Sequence, residues 1–212
     1  MLISDKNKFI FVHIRKSAGT SIRKIIEPLC IRRSKDFLTK IKSQCRLEKD
    51  YHKFYFRAHG EIMVVKEIMP PEIFDSYFKF SFVRNPWARL VSEYEYIRRE
   101  KTHGRHGKVI KMDFKNYIKY QAKRFDAHQI NMLADRKGAL LMDFIGKLEN
   151  LNDDWHHVCK QIDIPFSPLP HENRTKKKDF RSYYSDNEKS MVENLWKRDI
   201  ETFGYRFEDG IG

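Results

Sequence analysis

Cysteine is scarce in this chain and long apolar runs are missing from it. Only 3 of its 212 residues are cysteine. Cys30, Cys45 and Cys159 are an odd set with no Cys-x-x-Cys spacing, which argues against a disulfide framework and a zinc site and makes a reducing compartment the simplest home. No apolar stretch approaches the roughly 18 residues of a membrane-spanning helix. The opening Met-Leu-Ile-Ser-Asp-Lys has no apolar core of the kind a secretory leader carries, so a cytoplasmic chain without leader or span is expected. With no low-complexity linker and no internal repeat, residues 1–212 are expected to form a single domain.

Negative charge is the other shortage. Asp and Glu number 29 against 42 Lys and Arg, a net charge of +13 at pH 7, with a pI near 9.6. An excess of that size points to an anionic partner. Nucleic acid, an acidic membrane surface, a polyanionic glycan and a phosphorylated nucleotide all fit it. Clusters such as Arg98-Arg99 or Lys176-Lys177-Lys178 read, taken singly, as solvated faces. Hydrophobic residues at 41% and aromatic residues at 14% suffice for one full core.

The most informative stretch runs from Lys8 to Lys24. Phe9-Ile-Phe-Val-His-Ile14 is short and β-branched or aromatic, as a buried strand should be, and Ile22, Ile25, Ile26 and Leu29 then recur at helical spacing up to Pro28. Between them lies the turn Arg15-Lys16-Ser17-Ala18-Gly19-Thr20-Ser21. Backbone N–H groups at a helix N-terminus, a lysine point charge and the hydroxyls of Ser17, Thr20 and Ser21 suit a bound phosphate. The spacing is not Gly-x-x-x-x-Gly-Lys-Ser/Thr, because the lysine precedes the glycine. A second strand-turn-helix follows at Lys79–Tyr94, with Asn85 as N-cap and Pro86 at the first helical position. Trp87, Leu90, Val91 and Tyr94 give that helix an apolar face. Arg84 stands at the strand end, where its planar fork suits a bidentate anion contact, and Ser92 lies two turns into the helix.

The first motif, His13-Ile-Arg-Lys16-Ser-Ala-Gly-Thr-Ser-Ile, resembles the 5′-phosphosulfate loop of sulfotransferases that use 3′-phosphoadenosine 5′-phosphosulfate (PAPS), most of all the carbohydrate branch with the uronyl and heparan 2-O-sulfotransferases. The second resembles the family's 3′-phosphate motif. The two occur in the family's order, about seventy residues apart. The resemblance extends over nearly the whole chain. Leu140–Leu151 is similar to a family stretch of structural character with Glu149 near the cleft, Asp126-Ala-His128-Gln129 is similar to a segment near the substrate cleft, and Asn173-Arg174-Thr175-Lys176 is similar to a loop closing over the nucleotide.

Between the two motifs, Lys53–Glu61 alternates like a strand ending at a His-Gly turn. A strand-end histidine beside the donor suits a general base, since a neutral imidazole with a pKa of about 6.5 can take a hydroxyl proton near neutral pH. A histidine in a comparable segment plays that part in the resembling family. His59 is therefore the candidate base, with Glu61 and His52 as alternates. The basic, glycine-containing residues 102–112 read as a mobile loop, and a single amphipathic helix from Asp186 through Phe203 is expected before a Gly204 cap. Histidines 103 and 106 lack Cys or carboxylate company, so no metal is expected.

Strands near 8–14, 53–58, 79–84 and 141–146 alternate with helices. They predict an α/β fold with a mainly parallel central sheet flanked by helices and a site at the strands' C-terminal edge. The resemblance implies a P-loop-like nucleotide-binding sulfotransferase fold and in-line transfer of a sulfuryl group to an acceptor hydroxyl, on an oligosaccharide or other glycan. It further implies that Lys16 steadies the leaving phosphate and that residues 15–21 hold the 5′-phosphate. Arg84 and Ser92 would hold the 3′-phosphate, and Arg174, Thr175 and Lys176 would add anion contacts. Animal members carry an N-terminal Golgi anchor, so the chain is either a bacterial cytoplasmic enzyme or an excised lumenal catalytic domain. A nucleotide-dependent kinase fits less well, lacking a Walker lysine position and a Mg²⁺ carboxylate cluster. A basic nucleic-acid-binding module would account for the charge but not for two anion motifs, and no nucleic-acid partner is expected.

Overall fold

The computed structural model describes residues 1–32, 36–169 and 179–209. Four strands form one sheet in chain order: β1 (Leu2–Ser4), β2 (Phe9–Val12), β3 (Phe78–Val83) and β4 (Phe144–Lys147). β1 runs antiparallel to β2, while β2, β3 and β4 are parallel, with Phe11 opposite Phe80 and Phe82 opposite Gly146. The helices are α1 (Gly19–Ile26), α2 (Phe37–Gln44), α3 (Ile62–Ile68), α4 (Pro71–Ser76), α5 (Pro86–Arg99), α6 (His106–Val109), α7 (Phe114–Ala122), α8 (Gln129–Leu133), α9 (Leu151–Gln161), α10 (Asp186–Leu195) and α11 (Lys197–Phe203). The expected α/β class with a mainly parallel sheet is therefore present.

The period-two alternation of the strands divides the core into two layers. Phe9, Phe11, Phe80 and Phe82 face Ile22 and Ile26 of α1 and Trp155, Val158 and Cys159 of α9. Ile10, Val12 and Val83 join the other layer, with Ile62 and Val65 of α3, Leu90, Tyr94 and Ile97 of α5, and Ile130 and Leu133 of α8. Each large apolar side chain so buried stabilises by about 1.5–3 kcal/mol. With both faces covered, β2 and β3 read as near-continuous apolar runs. Each parallel strand then delivers its chain to the same sheet edge before a helix begins.

Local chemistry sets the helix ends. Asn85 Oδ1 accepts from the N–H of Trp87 and Ala88 at 3.1 and 3.3 Å, and Pro86 occupies the first position of α5 as expected. Asp113 accepts from Asn116 N at 2.7 Å to start α7. Ser185 and Glu188 form a capping box on α10. Gly204, at φ 61°, closes α11 in the left-handed conformation.

Three expectations need correction. Residues 53–58 form no strand: Lys53 and Phe54 donate to Asp50 O in a turn at 3.0 and 2.8 Å, and among the described residues no strand pairs with them. Phe54 and Phe56, with ring centroids 4.7 Å apart, are both buried, so the alternation records packing on the core rather than pairing. The single C-terminal helix is two, α10 and α11, because Trp196 leaves the helical conformation at φ −108° and ψ 23°. Its ring is buried, and its Nε1 donates to Ala127 O at 2.9 Å. The segment 102–112 contains the short helix α6, tied down by Val109, which is wholly buried.

Gly146 sits inside β4 rather than ending it. A Cβ there would lie 2.5 Å from Cε1 of the Phe82 ring and 2.8 Å from its Cδ1, within the sheet core. Gly146→Ala is expected to lower unfolding free energy by about 1–3 kcal/mol in a urea titration through overpacking. In a Phe82→Leu background the added cost should fall below about 1 kcal/mol, the coupling a double-mutant cycle detects.

Candidate active site

The chain leaving β2 makes a strained turn. Lys16 and Ala18 both adopt positive φ, 65° and 58°, which costs a non-glycine residue about 1–3 kcal/mol and persists only where the surroundings impose it. Alternating signs of this kind turn neighbouring N–H groups toward one concavity, the geometry of backbone anion sites. Ala18 O then accepts from Ser21 N at 3.0 Å and Ile22 N at 3.2 Å, and α1 begins. Ser17 is 1% exposed, and its Oγ has no hydrogen-bond partner among the described residues. A buried hydroxyl in that condition costs about 1–3 kcal/mol, and a phosphate oxygen would satisfy it. Thr20 is exposed and Ser21 buried at the start of α1. The loop thus fits a phosphate group through Ser17 Oγ and its backbone N–H groups.

Gly19 has a second, local reason to be glycine. A Cβ there would lie 1.9 Å from His13 Cδ2, because the His13 ring fills that space. His13 is 9% exposed, and burial with the nearby His59 lowers its pKa to about 3, so the ring is neutral.

Lys16 connects the two motifs. Its Nζ stands 4.3 Å from the centroid of the Tyr96 ring, a cation–π contact. Tyr96 lies one turn beyond Ser92 on α5, so the loop lysine meets the helix face that carries Ser92. At the start of that helix Arg84 is 5% exposed, and burial lowers its pKa to about 10, with Glu149 opposing the shift and Arg89 adding to it. Its backbone is held on both sides: Arg84 N donates to Gln129 Oε1 at 3.0 Å, and Gln129 Nε2 donates to Arg84 O at 2.9 Å. Asp199, fully buried, in turn accepts from the N–H of Gln129 and Ile130 at 2.7 and 2.9 Å. Glu149 accepts from Asn85 N at 2.9 Å and from the Tyr205 hydroxyl at 3.0 Å.

His59 stands on the other side of the loop. Its Nδ1 lies 2.9 Å from His13 O. A carbonyl can only accept, so Nδ1 carries the proton and Nε2 keeps the lone pair. Burial pushes the His59 pKa below 6.5, and Arg15 adds to the effect while the bond to His13 and Asp126 oppose it. The two histidine rings meet edge to face with centroids 4.4 Å apart. His59 lines a cleft of about 830 Å³ together with Arg15, Phe56, Arg57, Glu61, Arg124 and Asp126.

Arg15, expected among the donor residues, therefore lies in the cleft wall, 3.8 Å from Asp126. Of the alternate bases, Glu61 lines the same cleft, whereas His52 is held between Asp5 and Asp50 at 2.9 and 3.1 Å. Arg174, Thr175 and Lys176 lie outside the described residues. Sequence pattern gives His13 no role beyond heading the first motif, and gives Asp199 none. Asp199 carried one legible signal, its place between Trp196 and Phe203 on the apolar helix face.

A family model described as the sulfotransferase family matches residues 1–206. An uncharacterized protein of Archaeoglobus fulgidus is 32% identical over 106 residues, covering 48% of this chain and 81% of that one. Carbohydrate sulfotransferase 14 of Danio rerio is 23% identical over 192 residues, 78% of this chain but 48% of that protein, so the chain spans about half of that relative's length. Among solved structures, mouse sulfotransferase SULT7A1 complexed with PAP superposes with a TM-score of 0.57 at 12% identity, covering 94% of this chain and 86% of that one. That likeness concerns the fold.

The neutral, buried His13 has a consequence for acid stability. The unfolded chain binds its proton near pH 6.5 and the folded chain only near 3. Stability due to this group is complete above pH 6.5 and is lost as pH falls toward 3, with a limiting slope of about 1.4 kcal/mol per pH unit. His13→Asn is expected to flatten the urea-midpoint dependence between those limits. An unchanged slope would show that the ring titrates freely in the folded state.

Proposed function

We propose, from the premise that the chain belongs to the sulfotransferase family, that it draws its sulfuryl group from PAPS and passes it to a hydroxyl of a carbohydrate acceptor. Sulfuryl transfer itself follows from the family. The observation that supports the donor most strongly is the strained 13–18 loop, with the buried Ser17 Oγ left without a partner. The curated relative named as a carbohydrate sulfotransferase supports the acceptor class.

PAPS supplies an activated sulfuryl group on a stable nucleotide leaving group. Ser17 and the backbone of residues 16–21 would hold its 5′-phosphate, and Lys16 would neutralise charge that develops on the departing phosphate oxygen. Arg84 and Ser92 would receive the 3′-phosphate. The buried Arg84 suits that part, because a guanidinium in a poorly solvated slot gains more from an arriving anion than one in water does. His59, proton on Nδ1, would take the acceptor hydroxyl proton at Nε2 as the oxygen attacks sulfur. The cleft beside His59 would position the acceptor, and most of the rate enhancement on this reading is positioning.

Ligand binding and turnover test it. 3′-Phosphoadenosine 5′-phosphate is expected to raise the melting temperature well beyond AMP at equal concentration, and Arg84→Ala should weaken that ligand by about 2 kcal/mol. Equal shifts from the bisphosphate and from ATP would instead favour a kinase. His59→Ala should bind the bisphosphate nearly as the parent does while kcat falls by about 10²–10⁴-fold. The acid limb of kcat/KM in the parent should lie below pH 6.5, because burial depresses the base. Turnover kept within a few-fold would move the base to Glu61.

A further inference from the structure

Helix α2 is anomalous. It has eight residues, and among them only Ser43 is buried. A helix of this length is marginal in water and ordinarily persists because an apolar face packs on the protein. Here the apolar residues face outward instead: Phe37 is 74% exposed, Leu38 68% and Ile41 39%, and Leu47 just beyond is 72% exposed. Single exposed apolar residues are common, but four of them within residues 37–47 form a patch that calls for a partner.

The chemistry around the patch restricts what that partner is. Lys40, Lys42 and Lys49 accompany it, against Asp36 and Glu48, while Arg46 is paired with Glu67 at 2.9 Å, and the whole chain carries +13. Apolar side chains beside lysines and arginines match an interface whose interior is hydrocarbon and whose surface is anionic. A second copy is the poorer fit, since a two-fold contact through this helix would bring those cations against their own images. Among the described residues no helix is long and apolar enough to cross a membrane, so any contact made by α2 would be peripheral.

The position of α2 is the second observation. Lys40, Ser43 and Gln44 of the helix and Arg46 after it form part of the wall of the cleft that holds His59. Phe125, 54% exposed, lines the same cleft. We propose that α2 docks on an anionic lipid surface through Phe37, Leu38, Ile41 and Leu47, and so presents the His59 cleft to head groups borne on lipid. The second half of this statement rests on the acceptor role proposed for the cleft; the docking does not.

The test is co-sedimentation of the full chain with phosphatidylcholine vesicles, with and without phosphatidylglycerol, for the parent, a Phe37→Asp/Leu38→Asp variant and a Lys42→Glu/Lys49→Glu variant. The parent should bind the phosphatidylglycerol vesicles, less so as salt rises, and the apolar variant should bind roughly tenfold or more weakly. The charge variant should lose chiefly the preference for anionic vesicles. Melting temperatures and light scattering accompany each variant. No binding by the parent, or equal binding by the apolar variant, overturns the proposal. A large drop in the variant's melting temperature would mean that the chain itself covers the patch, and a parent dimer that the variant abolishes would mean that a second copy does. Because the vesicle readout needs neither donor nor transfer, its failure is separable from failure of the sulfotransferase assay.

Discussion

The contact on which the site depends is that of His13 with its two neighbours. Its ring fills the space above Gly19, where a Cβ would come within 1.9 Å, and its carbonyl accepts the Nδ1 proton of His59 at 2.9 Å. One residue thus sets both the entry of the chain into α1 and the tautomer of the candidate base. The ring remains neutral because burial lowers its pKa to about 3, so no charge opposes the loop on one side or the imidazole on the other. A charged residue at this position would carry several kcal/mol of desolvation into the site. The absence of a Cβ at Gly19 is what lets an aromatic ring lie against the helix start.

Behind this contact the molecule holds buried charge in an ordered chain. Arg84 and Arg89 are 5% and 2% exposed, and Glu149 and Asp199 supply the opposing charge. Burial raises the Asp199 pKa while Arg89 and two backbone N–H groups oppose it. Removing any one of these partners would leave its counterpart uncompensated, which typically costs 3–5 kcal/mol. Such networks are weak devices for stability but effective ones for position. Asp199 holds Gln129, Gln129 holds the backbone of Arg84, and Glu149 holds the first N–H after it. A cation fixed this way need not reorganise when an anion arrives, which is where electrostatic catalysis gains most.

What was legible in the sequence follows from the range of the interactions. Asn85, Pro86 and the apolar face of α5 act within two turns, so strand, cap and helix could be read together. The loop at 13–21 was legible for the same reason. Residues 53–58 misled because alternation reports which side chains are buried, not whether a neighbouring strand exists to pair with; Phe54 and Phe56 satisfy the pattern without a ladder. The break at Trp196 depends on an indole donating to Ala127, far away in sequence, and no window over α10 and α11 contains that partner. Asp199 escaped for the same reason, since it works through Gln129 and Ile130 about seventy positions away, and so did the hold of Gln129 on Arg84, although the segment around Gln129 was placed near the cleft. β1 was too short to announce itself.

The opposed influences on His59 bear on how a half-buried histidine could serve as the proposed base. Burial and Arg15 lower its pKa, while the hydrogen bond to His13 and the carboxylate of Asp126 raise it. Each unit of lowering keeps more imidazole neutral but weakens it as a proton acceptor, so the useful setting is a modest depression near working pH. Asp126 provides a brake: it pairs with Arg124 at 2.8 Å and stands 3.8 Å from Arg15, partly offsetting two of the cations that line the cleft. Burial remains the larger cause of the lowering, and Arg15 and the chain's N-terminus add to it. Asp126 thus adds to the larger opposition that the His13 hydrogen bond supplies, and it acts on the site without needing to touch donor or acceptor.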